Sequence, residues 1–135
     1  MRISQKGLYA LQALTALARQ YPDGVVKIHD IAREEDLPEK FLEAILRDLK
    51  RMRVVKSLRG ANGGYQLNRA PEKIYLGEVL RRIDGPLAPF EDAESLRRRV
   101  RSDAKHRPLF KVLLEVRNAT ARIMDHTSIA DLCQS

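Results

Sequence analysis

Cationic side chains dominate the one stretch of this chain whose spacing suits binding. From Arg47 to Arg59 the basic residues are Arg47, Lys50, Arg51, Arg53, Lys56 and Arg59, and Asp48 alone opposes them. The run ends in Arg59-Gly60-Ala61-Asn62-Gly63-Gly64-Tyr65. Three glycines and an asparagine there supply the positive-φ conformations of a tight hairpin tip. A tip free of bulky side chains lies close against another surface, and the arginine at its base presents a planar fork to a phosphate. Val54-Val55-Lys56-Ser57-Leu58 leads in and Tyr65-Gln66-Leu67 leads out, with Arg69 beyond. The loop therefore reads as the wing of a winged helix-turn-helix, and the expected partner is double-stranded DNA.

The other reactive residue types fall in no catalytic arrangement. His29, His106 and His126 are isolated, and no Ser/His/Asp, Cys/His or metal-hydrolase spacing is present. The glycines at 60, 63 and 64 do not open a helix after a strand and lack a following Lys-Ser/Thr, so they do not form a nucleotide-binding loop. Asp92, Asp103 and His106 carry donors for a hard metal but match no motif, and read as solvated. Cys133 is the single cysteine and reads as a packed terminal residue rather than a redox thiol. No enzyme activity, metal or cofactor is expected.

Composition is consistent with this. With 25 Lys and Arg against 18 acids the net charge is +7 and the pI about 9.9, a balance that favours a polyanionic partner without choosing between nucleic acid and anionic lipid. At 135 residues, 44% hydrophobic, the chain suits one globular domain with an appended dimerisation element. The apolar runs are too short to cross a bilayer, and a lone cysteine fits a reducing compartment. A cytoplasmic location without membrane contact is expected.

The binding groups need a scaffold. Ser4 caps a helix with Leu8, Leu11, Leu14 and Leu17 at threes, and Ala10, Ala13, Ala16 and Ala18 allow close packing. A turn at Tyr21-Pro22-Asp23-Gly24 follows, then Val25-Val26-Lys27-Ile28 as a small strand. A brief helix starts at His29 or Asp30 and runs to about Glu35, with Ile31 and Ala32 inward. Pro38 suits the first turn of the next helix, which runs to about Met52 with Phe41, Leu42, Ile45, Leu46, Leu49 and Met52 as its buried stripe.

Two helices with a short turn, the second polar-faced and followed by a basic hairpin, form the organisation of a DNA reader. The second helix would offer Glu39, Lys40, Glu43, Ala44 and Arg47 to base edges and backbone. Arg51, Arg53 and Lys56 would touch phosphates, and Arg59, Asn62 and Gly63 would act from the wing. Beyond Pro71 the residues at 76–84 make a short amphipathic helix ending at Gly85-Pro86. Residues 87–107 are charged, include Arg97, Arg98, Arg99 and Arg101, and read as a mobile loop with a helical turn. From Pro108 to about His126 the apolar residues occupy too much of the circumference for one small core, so a second copy of the chain is expected against that helix. Thr127 or Ser128 caps a last turn with Ile129 and Leu132 inward.

Together these features resemble the bacterial winged-helix regulators that include the iron–sulfur cluster assembly regulator (IscR), the nitric-oxide-sensitive repressor and the cysteine-metabolism repressor. The resemblance rests on the opening Met1-Arg2-Ile3-Ser4-Gln5-Lys6-Gly7-Leu8-Tyr9-Ala10, on Ile31-Ala32, Phe41-Leu42-Glu43 and Leu49, on the wing, and on Gly77-Glu78-Val79 and Ile83-Asp84-Gly85-Pro86-Leu87. It implies a mainly α fold with a small β-hairpin: a winged helix-turn-helix domain at 1–84, a variable segment at 85–107 that is the sensor region in relatives, and a dimerisation helix with a C-terminal turn at 108–135. It further implies a homodimer crossing two long C-terminal helices, with Glu43 and Arg59 as DNA contacts. The expected function is a sequence-specific transcriptional regulator at a palindromic operator, a repressor ahead of an activator.

Two departures stand out. Position 44 is often a longer polar residue in that family and is Ala44 here. Cluster-bearing members place three cysteines in the segment matching roughly 88–107, where this chain has none, so it looks like a cluster-free member. Any control would come from a regulatory protein or small-molecule effector acting through residues 85–107 and the dimer helices. The competing expectation is a winged-helix protein-interaction module that uses its basic face for an acidic partner protein without sequence-specific DNA binding.

Overall fold

The first helix begins where its sequence demands. The Ser4 hydroxyl accepts from the Gly7 N–H at 2.9 Å, satisfying a donor that the first turn would otherwise leave open. The computed structural model describes residues 2–89 and 92–133. Met1 of the opening motif, residues 90 and 91 of the variable segment and residues 134 and 135 at the C-terminus lie outside the described residues.

Helix α1 (Gln5–Ala18) buries Ala10, Ala13, Leu14, Ala16 and Leu17. Against this alanine-rich face pack α2 (Ile28–Glu35) and α3 (Glu39–Arg51), whose Ile31, Leu42, Ile45, Leu46 and Leu49 complete the core. Strands β1 (Val55–Leu58) and β2 (Gly64–Leu67) form an antiparallel hairpin with Val55 opposite Leu67 and Leu58 opposite Gly64. One turn of 3-10 helix at Pro71–Lys73 leads to α4 (Leu76–Asp84). Then come α5 (Ala93–Ser102), α6 (Arg107–Met124) and the short α7 (Ile129–Leu132). The architecture is the expected one: mainly helical, with a single small hairpin.

The C-terminal end folds back onto the N-terminal core. The Ile129 N–H donates to the Ile74 carbonyl at 2.8 Å and the Leu76 N–H to the Thr127 carbonyl at 3.0 Å. Ser128 and Asp131 form a reciprocal capping box, and Ile129 is fully buried. A single chain thus joins the base of α6 to the start of α4.

Helix α4 carries three further ties. The Asp84 carboxylate accepts from the Ser4 N–H at 2.9 Å and from the Ser4 hydroxyl. Glu78 receives a two-pronged ion pair from Arg69, just beyond the hairpin. Arg81 donates to both oxygens of Asp125 at 2.6 and 2.8 Å, fastening α4 to the end of α6. A Cβ on Gly77 would stand 2.0 Å from an Asp125 oxygen, so the glycine makes room for that pair.

Several expectations need correction. The strand expected at 25–28 shrinks to one bridge, Val26 to Tyr65, with both N–H···O bonds at 2.8 Å, because Ile28 already belongs to α2. Leu8 and Phe41, assigned to apolar stripes, are exposed by 51% and 57%, since small alanines let the helices approach without them. Leu132 is also exposed, Ile129 alone filling the inward position. The segment expected to be a mobile loop contains the ten-residue α5. Asp92 caps it, Leu96 is fully buried, and Arg99 lies over the Phe110 ring at 5.4 Å.

Along α6, Leu109, Val112, Val116 and Ile123 are exposed by 46–61%. They recur at three, four and seven residues and so share one side of the helix.

The Arg81 pair holds the Asp125 carboxyl below its usual range, chiefly by the guanidinium hydrogen bond. An unfolded aspartate titrates near 3.9. The pair therefore stabilises the fold above that pH, and its contribution fades as the pH falls through the depressed folded value. Both side chains are about a third exposed, so Asp125→Asn should cost less than about 1 kcal/mol at pH 7. Urea titrations should show the gap between variant and wild type closing below about pH 4.

Candidate nucleic-acid interface

The turn between α2 and α3 sets the orientation of the second helix. Asp36 takes the left-handed conformation (φ 54°), which ends α2, and the buried Leu37 returns its N–H to the Ala32 carbonyl at 2.9 Å. Pro38 is the N-cap of α3, one residue before its expected place, and Glu39 occupies the first turn. With Leu42, Ile45, Leu46 and Leu49 committed to the core, α3 turns Lys40, Glu43, Ala44, Arg47 and Arg51 outward. All five are exposed, as is Glu39.

The charges on this face are largely unspent. Among the described residues, Lys40, Glu43, Arg47, Lys56 and Arg59 make no ion pair. Arg51 pairs with Asp48 at 3.3 Å, and Lys6 of α1 reaches the same carboxylate at 2.5 Å. The Lys6 hydrogen bond is the main reason that Asp48 stays below the normal carboxylate range. The one acid within the basic run is thus matched by two cations, and the net field of the face remains positive.

Arg53 turns the chain from α3 into the hairpin through a left-handed residue (φ 61°), and its carbonyl accepts from the Asn68 side chain at 3.1 Å. At the tip, Gly60 (φ 102°) and Gly64 (φ 155°) supply the positive-φ positions. Asn62 and Gly63 do not. Gly63 is needed for space: its N–H closes the turn onto the Gly60 carbonyl at 3.0 Å, and a Cβ there would lie 2.2 Å from the Leu58 carbonyl oxygen.

The structure therefore brings Lys40, Glu43, Ala44, Arg47 and Arg51 onto one helical face, with the hairpin following directly from that helix. Lys56, Arg59 and Asn62 are exposed on the hairpin, whereas Gly63 is buried. Arg69 is committed to Glu78 and is a strut rather than a free cation.

Sequence reasoning missed the contribution of α1. Gln5, Lys6 and Tyr9 join Phe41, Ala44 and Ile45 around a groove of about 260 Å³ beside α3. The Tyr9 and Phe41 rings lie tilted with centroids 6.4 Å apart. Nothing in the sequence marked this groove, because helical periodicity assigns Phe41 to the buried stripe.

Asp92 and Asp103 stand at opposite ends of α5, the first capping it on the Ser95 N–H at 2.8 Å, the second bound to His106. They cannot share one ion with His106. Among the described residues no group of three or more His, Cys, Asp or Glu is placed to hold a metal. Cys133 sits against the Thr15 carbonyl at 3.8 Å. Among the described residues no helix is long and apolar enough to cross a membrane.

With the geometry in place, the likenesses to known proteins can be read. The family profile described as "Rrf2: Iron-dependent Transcriptional regulator" matches residues 3–135. The HTH-type transcriptional regulator CymR of Bacillus subtilis is 33% identical over 132 residues, 98% of this chain and 89% of that protein. An rrf2-like HTH-type transcriptional regulator of Rhodobacter capsulatus is 47% identical over 91 residues, 65% of this chain and 61% of that protein. Among solved structures, CymR, the global cysteine regulator of B. subtilis, superposes with a TM-score of 0.84 at 30% identity, covering 98% of this chain and 96% of that one. T. potens IscR superposes at 0.63 with 30% identity, over 98% and 85%. The iron in the family description does not fit these residues as a thiolate-held cluster, because one cysteine remote from residues 85–107 cannot supply the ligands.

Gly63→Ala should push the hairpin tip open, since the obstructing atom is backbone. The expected loss is about 1–3 kcal/mol, or a few degrees in Tm, read by thermal melting. Gly60→Ala, which has open space but a positive φ, should cost less.

Proposed function

Since this chain belongs to the Rrf2 family of transcriptional regulators, we propose that it is a homodimeric repressor of a palindromic operator, working without an iron–sulfur cluster. Helix α3 enters the major groove, with Lys40, Glu43, Ala44 and Arg47 towards the base edges and Glu39 at its entry. Arg51, Lys56 and Arg59 take phosphates, and Asn62 at the wing tip lies towards the adjacent minor groove. Gly63 serves by shaping that tip.

The observation that carries this reading is the outward face of α3, where, among the described residues, the exposed Lys40, Glu43 and Arg47 make no ion pair, continued by an exposed Lys56 and Arg59. Side chains without internal partners meet a phosphate or a base without first breaking a native interaction. Glu43 on that face accepts from a cytosine amino group, giving the helix a means to choose sequence.

The exposed stripe on α6 supports the dimer. Leu109, Val112, Val116 and Ile123 face one way, and an identical stripe on a twin chain is complementary to it under twofold symmetry. A twofold pair of reading helices matches half-sites about 34 Å apart. Repression follows by occlusion of a promoter. Helix α5 packs on α6 at the edge of a cavity of about 430 Å³ that includes Arg81 and Arg117. An effector there would act by favouring one spacing of the two halves.

Fluorescence anisotropy on duplexes should give log K falling against log salt with a slope of about −5, for roughly three phosphate contacts per protomer. A slope near zero would overturn DNA binding. Arg59→Ala should weaken all sequences about ten- to a hundredfold. Glu43→Ala should instead change the consensus selected from random duplexes; uniform loss from both would contradict the assignment of roles.

Val112→Asp places a charge in the proposed twofold contact, so sedimentation should report a monomer, with the helical circular-dichroism signal kept and the melting temperature lowered by the lost association. The variant should lose preference for palindromic over single half-sites.

A further inference from the structure

The outward face of α3 holds one side chain that can neither donate nor accept a hydrogen bond. Ala44 lies four residues after Lys40 and three before Arg47, in the middle of the charged positions. Three residues before it, on the side towards α1, stands Phe41, 57% exposed. Its ring leans on Tyr9, and the two rings, Ala44 and Ile45 line one groove with Gln5 and Lys6. An apolar patch thus runs from the edge of the α3 face into its centre, ringed by Lys6, Lys40, Glu43 and Arg47.

A patch of this kind on a charged surface needs an apolar counterpart. The major groove of DNA offers one on its base edges: the C5-methyl group of thymine. Among the four bases only thymine carries a methyl group there. An alanine is short enough to let a base edge approach the helix, and the Phe41 ring supplies a second wall.

We propose that Ala44 and Phe41 form a thymine-methyl pocket, so that each half-site contains one thymine chosen by its methyl group rather than by hydrogen bonds. This deepens the reading above and rests on α3 lying in the major groove. Lys40 and Arg47 beside the patch face neighbouring base edges, Arg51, Lys56 and Arg59 hold the phosphates, and Glu43 reads an adjoining base independently. Ala44 and Phe41 are then specificity determinants.

The test uses the full-length protein and the duplex it selects from a random pool. Each thymine is replaced in turn by deoxyuridine, which removes the methyl and leaves every hydrogen-bonding group in place. At one thymine per half-site, binding should weaken about fourfold, the worth of one apolar carbon withdrawn from water. Changing both half-sites should weaken it about fifteenfold. Ala44→Ser and Phe41→Ala should bring the thymine-to-uracil ratio at that position close to one. Both positions are exposed, so the melting temperature should hold and the Glu43-dependent base preference should persist.

If the wild-type protein selects a sequence yet is indifferent to every uracil, the pocket is refuted and the DNA reading survives. If the uracil effect is present but unaltered in both variants, another residue reads the methyl and the proposal again falls. If no sequence is selected at all, the function proposed for the chain fails first.

Discussion

The bidentate pair between Arg81 and Asp125 ties the C-terminal helices to the N-terminal core. It joins α4, packed on α1, to the last turn of the long helix α6. Gly77 leaves the notch that admits it. A Cβ at that position would meet the ends of the Asp125 and Arg81 side chains and displace the pair, beside which the chain returns through Ser128 and Ile129 to Ile74.

Helix α4 consequently acts as a hub. Its first turn holds Arg69 at the foot of the hairpin through Glu78. Its end holds the α1 cap through Asp84 and Ser4, while Arg81 grips α6. None of these ion pairs is deeply buried, so each is modest in energy, and their value lies in geometry. The nine-residue α4 thus touches α6, the foot of the wing and the α1 cap at once, so a displacement of α6 in the proposed dimer would reach them through it. That is a physical path by which a ligand near α5 and α6 would alter DNA affinity, provided it binds the two arrangements unequally.

Much of this was legible in the sequence, and the reasons differ by element. The buried stripe of α3 and the alanines of α1 declare themselves by helical periodicity, and the wing by its glycines. The resemblance singled out Gly7, Gly77 and Asp84 without a cause. The structure supplies it: a Cβ on Gly7 would stand 2.6 Å from an Asp84 oxygen, and Gly77 makes room for Asp125. Helix α5 was missed because it is polar nearly all round and gains its stability from Leu96 and from contacts with α6. The strand at 25–28 was over-read because β-branched residues also start helices when the next residues are His-Asp-Ile. Phe41 was assigned to the core by periodicity, and its exposure is the clue to a role at the surface. Pairings such as Lys6 with Asp48 or Arg69 with Glu78 join residues that carry no mark of one another in the sequence.

In the proposed dimer the α4 tie to α6 would hold the two reading helices one turn of B-form DNA apart. Pulsed electron–electron spin resonance on an Arg47→Cys, Cys133→Ser protein, labelled once per protomer, measures that separation directly. A single narrow distribution centred near 34 Å is expected, broadening when Arg81→Met is added. A distribution equally narrow without the Arg81–Asp125 pair, or the absence of any dipolar coupling between protomers, would contradict it.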